Sequence, residues 1–181
     1  NSLDDFWSEG PAANDQSASA FRKAGMAMLF PTLRGGNDNP GQREYFWGEV
    51  QDVAAAILQA AQLPYVDPAR IYLGGHSTGA TLALLTATAG LPVQGVFAFG
   101  PVDEVSGYGW PVKWGLISAD EKRLRSPVYW LHAIKSPTWI IEGSKSPGNI
   151  NSLDNMCAAR KSNQLHCVSV QGLITFPCYN P

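Results

Sequence analysis

From Arg43 to Leu63 the apolar residues recur at intervals of three and four: Phe46, Val50, Val53, Ala54, Ile57, Leu58 and Ala61. On a helix these positions fall on one stripe, so the segment reads as a single long amphipathic helix with its polar side toward water. Elsewhere the pattern changes to short, unbroken apolar runs. Met26-Ala27-Met28-Leu29-Phe30, Arg70-Ile71-Tyr72-Leu73, Gln94 to Phe99, Pro137 to Glu142 and Leu165 to Val170 read as strands. Such runs, bounded by turn residues, suit strands buried in a mainly parallel sheet. Asp15 or Ser17 caps a short helix ending near Lys23, where Ala24-Gly25 breaks it, and Ala80 to Ala89 forms an apolar helix. Further helices are expected near Tyr129-Trp130-Leu131-His132 and from about Asn151. A strand, a helix and another strand in this order predict a parallel pair joined by a right-handed crossover, with both carboxyl ends on one edge of the sheet. The fold class expected is therefore α/β, a mainly parallel sheet with flanking helices.

Composition narrows this without redirecting it. With 181 residues and 45% hydrophobic content the chain reads as one domain, residues 1–181, large enough for a real core. A formal net charge of −2 without any basic run gives no footprint for nucleic acid. No apolar stretch approaches the roughly 20 residues of a bilayer span, so none is expected. Cys157, Cys167 and Cys178 lack a Cys-x-x-Cys spacing and encode neither a zinc site nor a disulfide framework, although one bridge among them remains open. No metal or organic cofactor is implied. Compartment and oligomeric state are left open.

The chemistry is concentrated in Gly74-Gly75-His76-Ser77-Thr78-Gly79, between the strand ending near Leu73 and the helix from Ala80. A serine lifted outward between strand and helix needs a tight turn, and the glycines two before and two after it, Gly75 and Gly79, are read as making room for the crossing backbone. Ser77 is thus a candidate nucleophile. The loop Thr32 to Gly41 leaves the carboxyl end of an expected strand, where open α/β sheets place ligands. Arg34 in that loop has two readings, a contact to a substrate carbonyl or carboxylate and a salt bridge that holds the loop. Residues 100–136 are too long for a simple connection and read as a lid insertion over the site, with Trp110 and Trp114 either lining an apolar pocket or packed in a small core of their own.

Together, Pro31-Thr32-Leu33-Arg34-Gly35, Val66-Asp67-Pro68-Ala69-Arg70-Ile71 and Gly75-His76-Ser77-Thr78-Gly79 resemble motifs of the α/β-hydrolase superfamily, most closely its prolyl-oligopeptidase-like branch of serine hydrolases. The resemblance covers nearly the whole chain. It implies that Ser77 attacks an ester or amide carbonyl, that a histidine carries its proton, and that a carboxylate orients the histidine. It also implies that the Thr78 N–H, at the start of a helix, donates to the oxyanion. The substrate expected is a small ester or peptide. Departures from the family pattern are equally specific. The His-Gly-Gly-like loop of the second oxyanion donor is not found before Asn1, so the first strands and the last helix are expected to be missing from this sequence. Loss of one such donor costs about 10²–10³ in rate. The family's histidine position holds Thr175, and threonine is no general base near neutrality. Of the three histidines, His76 belongs to the turn itself, His132 lies in the insertion, and His166 opens the last strand at its amino edge. For the acid, Ser146 occupies the family's aspartate position, leaving Glu142 and then Asp103 as candidates, with Asp154 read as a surface residue. The alternative to an enzyme is a hydrolase-shaped binding or scaffold protein that has lost its base.

Overall fold

Four parallel strands, β1 (Tyr72–His76), β2 (Gly95–Phe99), β3 (Thr138–Lys145) and β4 (Leu165–Ile174), lie side by side in sequence order. The computed structural model describes residues 19–109, 118–145 and 148–174. α1 (Ser19–Lys23) and α2 (Gly48–Ala60) precede β1, while α3 (Thr78–Ala87), α4 (Ala119–Leu124) and α5 (Ile150–Ala159) lie between successive strands. Each parallel connection needs a crossover, and α3 and α5 supply two of them. This is the α/β-hydrolase type of sheet that the sequence predicts, and its carboxyl edge carries the turn at Ser77.

Register separates the two faces of the sheet. Leu73, Val96, Thr138 and Leu165 align across one row, and Gly75, Ala98, Ile140 and Cys167 across the next on the same face. Val96, Ala98, Thr138 and Ile140 are fully buried there, because α3 packs on β1 and β2 while α5 packs on β3 and β4. Ala80 through Ala87 of α3 are all buried, with α2 laid against them through Val53 and Ile57. Helix-favouring Ala and Leu make this buried helix cheap to form. A disulfide between Cys157 on α5 and Cys167 on β4 fastens helix to sheet; it is the one bridge that the spacing left open.

On the opposite face Phe97, Trp139 and His166 stand in register on three strands and stack, with ring centroids 4.9 and 5.2 Å apart, and Tyr72 joins the row diagonally at 6.3 Å. This face stays half open to solvent, Tyr72 being 51% exposed.

Several expectations are corrected. Met26 to Phe30 is not a strand; Met26 and Leu29 stand out in solvent at 47% and 57% exposure. An apolar run becomes a strand only where a neighbour pairs its backbone, and β1 pairs with β2 alone among the described strands. The predicted crossover into β1 therefore has no first strand. The long helix starts at Gly48 instead of Arg43, because Tyr45 and Phe46 adopt positive φ values of 53° and 75° that a helix excludes. Glu49 then receives the N–H groups of Glu44 and Tyr45 on one oxygen, at 2.7 and 3.2 Å. Leu58, placed on the apolar stripe, is exposed. The stretch Tyr129 to His132 forms two short 3₁₀ turns, Pro127–Tyr129 and Leu131–Ala133, split at Trp130, which leaves helical geometry at φ −120°, ψ 1°.

Candidate active site

β1 ends at His76 and α3 begins at Thr78, so the whole reversal of direction falls on Ser77. Its backbone sits at φ 53°, ψ −115°, a strained conformation for a residue with a Cβ. Two hydrogen bonds hold it there. The Ser77 N–H reaches Phe99 O at 2.8 Å, and the Thr81 N–H reaches Ser77 O at 3.0 Å. A Cβ on Gly75 would lie 2.3 Å from the carbonyl carbon and oxygen of Gly79 and 2.8 Å from Ala80 N. Backbone fills the place of that side chain, so only glycine fits. Gly79 differs, since a Cβ there meets nothing within 4 Å. The turn requires the first glycine for space and not the second, which corrects the symmetrical reading of the motif.

Thr78 is the first residue of α3, where N–H groups have no carbonyl one turn earlier to bond and the helix dipole is positive. A helix start of this kind favours negative charge beside it. His76 lies on the sheet face opposite α3, since it alternates with Gly75, and burial lowers its pKa.

Tyr108, in the 3₁₀ turn Val105–Tyr108, is a member of this site that the sequence reading missed. Its hydroxyl lies 2.8 Å from Thr81 Oγ1, and the Val102 N–H donates to the same Oγ1 at 3.1 Å. Burial, the largest influence, pushes the phenol up to about 12, while the polar groups of Thr81, Ser77 and Val102 around it pull the other way. A signal existed: Thr81 is a polar position one turn after the serine in an otherwise apolar helix start, and such a residue buried completely needs partners.

The two candidate carboxylates are both tied to loops. Glu142 is 2% exposed, with one oxygen accepting the Gly143 N–H at 2.8 Å and the other the Asn149 N–H at 3.2 Å. Burial raises its pKa in spite of these donors. Asp103 accepts from Ser152 Oγ and Asn155 Nδ2, each at 2.7 Å, which joins the segment after β2 to α5. Burial works to raise Asp103 as well, but its hydrogen bonds outweigh that and hold it below the ordinary carboxylate range. Asp154 is exposed on α5.

Arg34 is spoken for. Its guanidinium meets Asp52 at 2.8 Å and Glu44 at 2.8 Å, its own N–H donates to Asp52 at 2.9 Å, and these carboxylates raise its pKa further. The group lies over Gly48, where a Cβ would collide with it. Of its two readings, the salt bridge that holds the loop to α2 is the one these contacts fit. His132 is exposed on its 3₁₀ turn, with its ring centroid 6.4 Å from that of Trp130. His166 is exposed one residue into β4, at the amino edge as expected. Trp110, Trp114, Ser146 and Thr175 lie outside the described residues. Among the described residues no three His, Cys, Asp or Glu side chains cluster as metal ligands would, and no helix is long and apolar enough to cross a membrane.

The sequence profile of the prolyl oligopeptidase family matches residues 12–111, a stretch that includes Arg34, the turn at Ser77 and Tyr108. No curated protein matches the sequence. Solved structures of similar fold include a puromycin-hydrolyzing peptidase of Mycobacterium tuberculosis, with a TM-score of 0.61 and 16% identity over 73% of this chain and 23% of that one. Another is dipeptidyl peptidase 4 of Porphyromonas gingivalis, with a TM-score of 0.57 and 21% identity over 70% of this chain and 19% of that one. A third is the acylaminoacyl peptidase of Pyrococcus horikoshii, with a TM-score of 0.57 and 15% identity over 68% and 22%. At these identities the likeness is one of fold. The chain spans about a fifth of the length of such structures.

Proposed function

Because the chain belongs to the prolyl oligopeptidase family, we propose that it carries the nucleophile of a serine hydrolase, and that Ser77 attacks the carbonyl of an ester or a small amide or peptide bond. The observation that carries this reading is the strained Ser77 backbone, held between the end of β1 and the start of α3. A conformation that costs about 1–3 kcal/mol is of the kind that clusters at active sites. In the reaction Ser77 Oγ bonds to the carbonyl carbon as its proton leaves to a base. The oxyanion faces the Thr78 N–H, the amine or alcohol departs with a proton, and water releases the acyl group from Ser77. The solved relatives named as peptidases favour a peptide amide as the natural bond. Asp103, held ionised by Ser152 and Asn155, suits an orienting carboxylate better than Glu142, which burial drives toward its neutral form.

A second reading, a binding or scaffold protein of hydrolase shape, is favoured by one observation: Thr175 stands where the family pattern puts its histidine. The two readings part in a labelling experiment. A fluorophosphonate probe is expected to label the chain at Ser77, and undiminished labelling of a Ser77→Ala variant would defeat the hydrolase reading. A peptide bound in the cleft without turnover of p-nitrophenyl esters supports the binding reading. Thr175→His separates a lost base from one placed elsewhere: gained hydrolysis supports the first, and no change sends the role to His132.

A further inference from the structure

One helix holds both candidate carboxylates. α5 is led in by Asn149, whose N–H donates to Glu142 Oε2 at 3.2 Å and whose side-chain amide donates to Gly100 O at 2.8 Å. One turn on, Ser152 Oγ and Asn155 Nδ2 donate to the two oxygens of Asp103, each at 2.7 Å. Asp103 lies in the segment that leaves β2, and that segment is tied to α3 one turn past Ser77, through the Val102 N–H and the Tyr108 hydroxyl on Thr81 Oγ1. The two ends of α5 are not held alike. Asn149 and the buried Leu153 fix its start, whereas its last turn runs into Arg160 in extended backbone (φ −62°, ψ 135°), without a left-handed cap and without a basic side chain to meet the free carbonyls. At ten residues the helix is shorter than the roughly 12–15 that stand alone. Met156, buried but on a flexible side chain, and the Cys157–Cys167 bridge to β4 hold that last turn.

We propose that the Cys157–Cys167 bridge is a redox switch on the hold that α5 has on Asp103: oxidised, it keeps the last turn wound and the Asn155 amide on the carboxylate; reduced, it lets that turn fray and leaves Asp103 to Ser152 alone. The reaction is thiol–disulfide exchange with a small dithiol or with two equivalents of a monothiol. A thiolate attacks one sulfur of the bridge, the S–S bond breaks toward the other, and a second thiolate closes on the mixed disulfide, so that the reductant leaves as a disulfide and its two protons end on Cys157 and Cys167. Both cysteines are only partly buried, which admits such a reagent to the folded chain. Leu153 and Met156 keep their places on the sheet once the bridge opens, which confines the change to the end of the helix. The switch stands whether or not Ser77 is a nucleophile; in the hydrolase reading it makes the hold on the orienting carboxylate depend on redox state.

The test compares the chain before and after dithiothreitol, without denaturant. Thiol titration is expected to gain two thiols per chain. In NMR spectra of the reduced chain the Asn155 side-chain amide is expected to move toward the position of a free amide, and the Cα shifts of Ala158 and Ala159 to lose their helical offset, while those of Leu153 and of β3 stay in place; reoxidation restores all of them. The double variant Cys157→Ser with Cys167→Ser is expected to match the reduced chain and to ignore the reagent, which ties the change to this pair and not to Cys178. No gain of thiols in the folded chain overturns the switch for want of access. An Asn155 amide that keeps its position on reduction overturns it because bridge and carboxylate are then uncoupled, and a loss of native shifts throughout the sheet overturns it because the bridge is then a staple of the whole fold. None of these measurements uses the serine, so a chain that fails to label at Ser77 sinks the hydrolase reading and leaves the switch standing.

Discussion

At the scale of single residues, the motif Gly75-His76-Ser77-Thr78-Gly79 pointed to the right turn, but its two glycines are not equivalent. The Gly75 position is filled by the backbone of Gly79 and Ala80, so Gly75→Ala must push β1 and α3 apart. Overpacking of this kind costs about 1–3 kcal/mol. Gly79 lies in the first turn of α3 with open space around it, and there alanine gains helix propensity worth up to about 1 kcal/mol over glycine. Urea denaturation is expected to show Gly75→Ala destabilised and Gly79→Ala unchanged or more stable; equal losses in both would contradict the geometry. A regular expression cannot see this difference, because it lies in where the next helix crosses the strand. The same limit hid Tyr108. Its hydroxyl meets Thr81 across 27 residues of sequence, and no local pattern announces that approach.

At the scale of elements, the strands β1 to β4 and helices α2, α3 and α5 were legible from periodicity, with boundaries displaced by a few residues. The displacements have causes in side-chain and backbone contacts. α2 begins at Gly48 because Glu49 captures the N–H groups of Glu44 and Tyr45 and turns the chain there. Arg34, legible as either a substrate contact or a loop anchor, meets Asp52 and Glu44 once α2 brings Asp52 alongside. The Cys157–Cys167 bridge is a property of two elements as well: α5 packs on β4, and the cysteines, ten positions apart, come face to face. Closing a loop of this size stabilises a fold by about 2–3 kcal/mol through the entropy of the unfolded chain. Reduction, or the double replacement Cys157→Ala with Cys167→Ala, is therefore expected to lower the unfolding free energy by that amount in urea titrations run with and without reductant. An unchanged midpoint would show that the bridge adds nothing to the packing of α5.

At the scale of the whole molecule, the sheet is covered by α3 and α5 on one face and carries the Tyr72, Phe97, Trp139 and His166 row on the other. A half-exposed aromatic row next to Val168, itself 37% exposed, forms an apolar surface of the kind that captures hydrophobic dyes. The native chain is expected to enhance the fluorescence of anilinonaphthalene sulfonate while keeping its near-ultraviolet circular dichroism, which separates an open face from a loosened core. Absence of enhancement would mean that the row is covered in solution. Local order determined where β1 to β4 and α2, α3 and α5 lie, that strands and helices alternate around a parallel sheet, and that one serine sits at a strand-to-helix turn. These follow from periodicity, turn chemistry and a short motif, all properties of neighbours along the chain. Tertiary structure alone decided that Met26 to Phe30 joins no described strand, which glycine is indispensable, which carboxylates Arg34 meets, how Asp103 and Glu142 come to be pulled in opposite directions, and that a distant tyrosine reaches Thr81, one turn past the serine. Each of those depends on which distant groups approach within a few ångströms, and packing, not sequence order, sets that.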